Sequence, residues 1–184
     1  HEDRNGHSIV GHGGDTSYFH SDLALLDHDN VGLFISMNSA GKAGATGRIR
    51  EALLHSFVDR YFPAPTTVLP TAATAKEHAA QVAGRYWFNR RAHSTFMSML
   101  GLVGQTKITA NPDGTIQVAA LKDFGGGVKT WREVGPYVWK DQNNDATLAA
   151  VVKDGKVEQI MSSDIPLVMA LQPVPFAHSA AWNM

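Results

Sequence analysis

Residues 11–21, Gly-His-Gly-Gly-Asp-Thr-Ser-Tyr-Phe-His-Ser, hold the densest set of groups able to do chemistry in this chain. Gly13 and Gly14 directly follow His12. On or at the end of a strand, adjacent glycines let a substrate approach the backbone closely. Free N–H groups there can stabilise a developing oxyanion. His12 can act as an acid, a base or a positive handle near neutral pH. A Gly-rich turn beside a surface histidine has the same composition, so the local residues leave both readings open. Metal binding is a second chemistry to weigh, because the chain has nine histidines. His12, His20 and His28 recur at eight-residue intervals, with His1 and His7 nearby. None forms the i, i+4 pairs or Cys/His sets that zinc favours, so neither a metal nor a cofactor is expected.

Two apolar runs must position this cluster. Ser21 to Leu26 and Val31 to Asn38 are strand-like, and Asp27-His28-Asp29-Asn30 joins them as a polar hairpin turn. Val31 to Met37 is apolar almost throughout and predicts a buried central strand. After a small-residue loop, Gly41 to Gly47, the residues Ile49, Leu53, Phe57 and Tyr61 recur at helical period, with Leu54 and Val58 widening the stripe. Arg50, Glu51, Asp59 and Arg60 fall on the polar face, and Pro63 stops the helix. Pro63, Pro65 and Pro70 among Thr and Ala then read as a semi-rigid linker.

The rest of the chain is strand-rich. Eight strands are expected: Gly84–Asn89, Gln105–Ala110, Thr115–Leu121, Lys129–Val134, Tyr137–Asp141, Thr147–Lys153, Lys156–Ser162 and Leu167–Gln172. Turn signals punctuate them: Asn111-Pro-Asp-Gly114, Gly125 to Gly127, Gly135-Pro136, Asn143 to Asp145 and Asp154-Gly155. About eight short strands in this length predict a closed antiparallel barrel. Ser94 to Val103 has a helical period and is expected to cover one mouth. Trp87, Phe88, Trp131, Tyr137 and Trp139 either fill the barrel core or line a cavity. The division is thus 1–62, a linker over 63–76, and a barrel over 77–184.

The bulk numbers narrow the function class. The 184 residues carry 16 Lys plus Arg against 17 Asp plus Glu, with 43% hydrophobic residues and no cysteine. That apolar fraction fits a folded globular protein. A near-neutral charge without a Lys/Arg cluster argues against nucleic acid as a partner. Without cysteine there is no disulfide framework and no thiolate chemistry. No stretch approaches the ~18 apolar residues of a membrane-spanning helix. The chain opens on His1 with neither an initiator Met nor a leader pattern, and reads as a piece of a longer protein.

Gly11-His12-Gly13-Gly14-Asp15, then Tyr18-Phe19-His20-Ser21, an apolar strand, a turn, Val31-Gly32-Leu33-Phe34-Ile35 and Asn38 resemble the C-terminal end of a serine β-lactamase-like hydrolase domain. The similarity is to the class C β-lactamase, D-aminopeptidase and penicillin-binding-protein-like branch, and it covers about the first 62 residues. His12-Gly13-Gly14 matches that family's His-x-Gly motif. The resemblance implies that His12 orients substrate and tunes the proton network, that Gly13 and Gly14 keep the strand clear for substrate, and that the Asp15 N–H donates to the oxyanion. Ala83-Gly84-Arg85-Tyr86, Asp113-Gly114 and Asp154-Gly155 are similar to the lipocalin-like barrel that follows some such domains, implying a role in shaping access or holding an apolar ligand. The expected fold is therefore an α+β fragment, antiparallel strands plus one C-terminal helix, followed by an eight-stranded barrel.

The family's Ser-x-x-Lys and Tyr-x-Asn motifs precede its His-x-Gly, and only eleven residues precede His12. Ser39-Ala-Gly-Lys42 and Ser36-Met-Asn38 spell such motifs but come too late in the chain, and Ser39 is expected in a loop. The resemblance thus implies a hydrolase of amide, ester or β-lactam bonds that lacks its nucleophile and is inactive alone. Its expected partners are the missing N-terminal part, a small-molecule or peptide substrate, or a second copy of the chain by strand exchange. A periplasmic or membrane-anchored parent is also implied. The rival reading is a non-enzymatic barrel that binds a small apolar ligand or a protein.

Overall fold

The computed structural model describes residues 1–64, 70–99, 101, 104–123, 125–143, 146–166 and 168–180. Residues 65–69 of the expected linker, Leu100 and Val103 of the expected mouth helix, Asn144-Asp145 of one turn, and Leu167 at the start of the last expected strand lie outside them. The chain divides into two compact units, one of residues 1–68 with 123–125 and the other of residues 69–122 with 126–184.

The first unit is a four-stranded antiparallel sheet in the order β1 (Glu2–Arg4), β2 (His7–Asp15), β3 (His20–Leu26), β4 (Val31–Met37), with one helix, α1 (Ala45–Tyr61), on one face. Asn5 and Gly6 both take positive φ, 56° and 84°, and close the β1–β2 hairpin. Strand alternation puts Ile9, Ala24 and Leu26 on the helix side, where they pack with Leu54 and Val58 of α1. Burying each large apolar side chain there contributes about 1.5–3 kcal/mol. Arg4, Asn5 and Asp59 tie the first hairpin to the last turn of α1, with Arg4 giving two hydrogen bonds to Asp59 at 2.8 and 2.7 Å.

Two expectations for this unit need correction. β1 is a strand that the apolar pattern did not announce. β4 is an edge strand rather than a central one, since among the described residues it pairs only with β3 and its side chains alternate between half-buried and exposed. Its continuous apolar run has one face under α1 and one face uncovered.

The second unit is a closed barrel of eight antiparallel strands: β5 (Gly84–Phe88), β6 (Thr106–Ala110), β7 (Ile116–Lys122), β8 (Val128–Gly135), β9 (Val138–Asp141), β10 (Thr147–Lys153), β11 (Lys156–Ser162) and β12 (Leu171–Pro173). Each pairs with its sequence neighbours, and β12 closes on β5. The inward side chains fill the barrel: Trp131 and Trp139 are wholly buried among Ile108, Ile116, Leu148 and Ile160. These two tryptophans are core residues.

A second helix, α2 (Ala75–Val82), was not foreseen. It lies where the barrel's turns Asn111–Gly114, Gly135–Tyr137 and Asp154–Gly155 meet, and buries Ala79 and Val82 against the core. Buried Glu133 accepts hydrogen bonds from Thr74 Oγ1 (3.1 Å), His78 Nδ1 (2.5 Å) and the Tyr137 N–H (2.9 Å). The His78 ring stacks on Tyr137, with centroids 3.7 Å apart. This mouth is therefore capped by α2, while Met97 and Gly101 of the expected helical segment line a cavity with Trp87 and Phe88. Among its described residues that segment has a short 3₁₀ turn, Phe96–Met99, whose Phe96 and Met99 are exposed. No described helix is long and apolar enough to cross a membrane.

Candidate active site

His12, Gly13, Gly14 and Asp15 all lie on β2, so the glycine-flanked imidazole is held on a sheet. The bond from the Thr16 N–H to the Phe19 C=O, 2.8 Å, fixes the phase of the β2–β3 ladder. In an antiparallel ladder directly opposed pairs alternate between hydrogen-bonded and not. Gly14–Ser21 and His12–Leu23 are then the hydrogen-bonded pairs, while Asp15–His20, Gly13–Asp22 and Gly11–Ala24 are not. The N–H and C=O groups of Gly11, Gly13 and Asp15 consequently point away from β3. On that side β1 ends at Glu2, opposite Ile9. From Val10 onward the outer edge of β2 has no strand partner among the described residues.

The two faces of this sheet differ. Opposite α1, the alternation gathers Val10, His12 and Gly14 with Ser21, Leu23 and Leu25, and with Gly32, Phe34 and Ser36. Val10, Leu23, Leu25 and Phe34 are 44%, 40%, 42% and 67% exposed, so the His12 side chain stands on an uncovered apolar face. A Cβ added at Gly14 would meet nothing within 4 Å, whereas one at Gly11 would lie 2.5 Å from the Leu23 carbonyl oxygen. Gly11 is thus required by close backbone approach, and Gly14 leaves open space.

On the α1 side, Arg50 clamps the end of the hairpin. Its guanidinium reaches both Asp15 carboxylate oxygens at 2.9 and 3.1 Å and donates to the Ser21 C=O at 2.5 Å. His20 donates from Nδ1 to Asp15 Oδ1 at 2.6 Å. Its buried Nε2 has no partner among the described residues. The His20 hydrogen bond, with help from the Arg50 guanidinium, holds the Asp15 carboxyl below its ordinary value of 3.8. The Asp15 side chain is therefore occupied in fixing the hairpin, and its backbone N–H is the group left free.

The other sequence candidates lie apart from this edge. Ser36 Oγ shares a hydrogen bond with Ser21 Oγ at 3.0 Å, and Ser39 Oγ accepts from the Gly41 N–H at 3.1 Å. Ser36, Ser39 and Asn38 border a cleft of about 480 Å³ with Phe19 and Ile49. His12, His20 and His28 do not converge, and among the described residues no three His, Asp or Glu groups could hold a metal. His20 was weighed from sequence only as a metal ligand, and Arg50 only as part of a polar helix face. Asp15 and His20 bracket a four-residue turn, which places them opposite each other. Arg50 comes from 35 residues away and carried no such signal.

No protein-family model matches this chain, and no curated protein matches it. Among solved structures, the crystal structure of SurE with D-Leu matches at 14% identity and a TM-score of 0.41, covering 89% of this chain and 35% of that one. A crystal structure of SurE matches at 13% identity and a TM-score of 0.40, covering 90% and 34%. The chain spans about a third of the length of these structures. The resemblance to the serine β-lactamase-like and lipocalin-like families is corrected on these findings, none of which names such a protein. A His-x-Gly tripeptide followed by an antiparallel meander and a helix is too generic to fix a family. The chain is accordingly described by its architecture, a closed eight-stranded antiparallel barrel together with a four-stranded sheet and two helices.

Proposed function

We propose that the outer edge of β2 is one wall of an acyl-transfer site, in a serine hydrolase acting on amide, ester or β-lactam carbonyls. The observation that carries this reading is the Asp15 N–H, unpaired at an open strand edge and preceded by two residues without side chains. A substrate backbone can lie along such an edge as an added strand. The carbonyl oxygen, as it gains charge, accepts from the Asp15 N–H. His12, on the open face, orients the substrate and takes part in proton transfer.

The attacking hydroxyl comes from a segment outside these 184 residues, and the same segment covers Val10, Leu23, Leu25 and Phe34. It forms an acyl-enzyme, the amine or alcohol takes up a proton and leaves (in a β-lactam the amine stays tethered as the ring opens), and water then releases the acid. Within the chain, Ser36 and Ser39 are engaged in local hydrogen bonds that offer neither of them a base. On this reading the isolated chain is inactive.

Treatment with a p-nitrophenyl ester, read by nitrophenolate release and intact mass, tests the proposal. The isolated chain should gain no acyl mass, and a longer product of the same reading frame that includes the upstream segment should gain one acyl group. Acylation of the isolated chain, or none on the longer product, contradicts it.

A further inference from the structure

The barrel's two mouths are unlike. α2 seals the one at the start of β5, and the interior is filled by Trp131 and Trp139. At the other end of β5 a cavity of about 280 Å³ remains, lined by Trp87, Phe88, Arg90, Arg91, Met97 and small residues. Its lining residues include two aromatics, a methionine and two arginines, and no acidic residue among the described residues. The Arg91 guanidinium lies 4.0 Å over the Trp87 ring. It is held there by donating to the Phe88 C=O at 3.0 Å and the Gln172 Oε1 at 3.4 Å. Arg90 makes no hydrogen bond or ion pair among the described residues. One cation is therefore fixed against an aromatic face, and the other is uncommitted beside an apolar hollow.

We infer that this mouth is a binding site for a small monocarboxylate with a planar or short aliphatic body. The body would lie against Phe88 and Met97, with the carboxylate on Arg90 and on the free edge of Arg91. Guanidinium recognises carboxylate through paired N–H donors. The cavity's volume is at the lower end for small-molecule pockets, which run from about 300 Å³ upward. That limits the body to roughly one ring and a short chain. An anionic occupant is favoured because two arginines and, among the described residues, no acidic group line the cavity.

The test uses the full 184-residue chain, with 4-phenylbutyrate and its neutral analogue 4-phenylbutanol as probes. Binding is followed through the Trp87 indole N–H signal in two-dimensional NMR. The carboxylate should shift that signal saturably and bind at least about tenfold more tightly than the alcohol. Arg90→Gln removes no hydrogen bond of the fold, and it should weaken the carboxylate alone by about tenfold. Trp87→Phe should keep the fold while weakening both probes, with the aromatic proton signals of the probe as the readout. Equal affinity for acid and alcohol, an unchanged carboxylate affinity in Arg90→Gln, or no saturable shift at millimolar probe overturns the inference.

Discussion

At the scale of single residues, Asp15 has two jobs that use different atoms. Its carboxylate fixes the hairpin through Arg50 and His20, and its N–H faces outward. Because the Asp15 side chain is 57% exposed, the ion pair itself contributes little. Most of Arg50's contribution is the hydrogen bond to the Ser21 C=O, so Arg50→Gln should cost about 1 kcal/mol in urea denaturation. The glycines separate in the same way. Gly11→Ala should destabilise the sheet through the Leu23 carbonyl, whereas Gly14→Ala should leave the melting temperature unchanged.

The carboxylates of this unit also set its response to acid. Asp15 is held low by His20 and Arg50, and Asp59 by Arg4 and Asn5. Burial pushes Glu2 up, but the His55 hydrogen bond and charge outweigh it and the net effect is downward. A depressed carboxylate stabilises the fold fully above its ordinary value, 3.8 for Asp and 4.5 for Glu, and the contribution fades as pH falls through the lowered folded value. Amide hydrogen exchange should therefore show β1–β3 losing protection as pH drops below about 4, with little change between pH 5 and 7.

At the scale of elements, the barrel was legible because the strands from β6 to β11 are joined by turns with their own chemistry. Asp154 and Gly155, for example, both take positive φ between β10 and β11, as the dipeptide predicts. α2 was not legible, being only eight residues of mixed Ala and polar type beside a proline-rich stretch. β1 is shorter still, at three residues, and is defined by its partner strand rather than by its own pattern. β4 misled because sequence alone cannot separate an apolar face under a helix from one left open. Of the candidate site, the histidine–glycine strand was readable, but the clamp across it depends on a helix packing over the hairpin. The Glu133 cluster that seats α2 gives a matching prediction. Glu133→Ala strands the buried His78 donor and half-buried donors from Thr74 and Tyr137, and should cost about 3–5 kcal/mol in thermal or urea unfolding.

At the scale of the whole molecule, the two units differ in how completely they are closed. The barrel has no sheet edges, because β12 pairs with β5. The sheet has two open edges and an exposed apolar face, the features that promote association. If that face belongs to the segment that carries the nucleophile, the isolated chain should self-associate in its absence. Sedimentation velocity should show a concentration-dependent dimer that Leu23→Lys suppresses, and a monomer at every concentration would count against an unmet partner. The measurement closest to the central claim compares acylation rates of Asp15→Pro and Asp15→Ala in the longer protein. Both variants lose the carboxylate, but only proline also loses the outward N–H, at a position where the ladder does not use it. Asp15→Pro should be slower than Asp15→Ala by about 10²–10³-fold at equal melting temperature. Equal rates in the two variants would contradict the account.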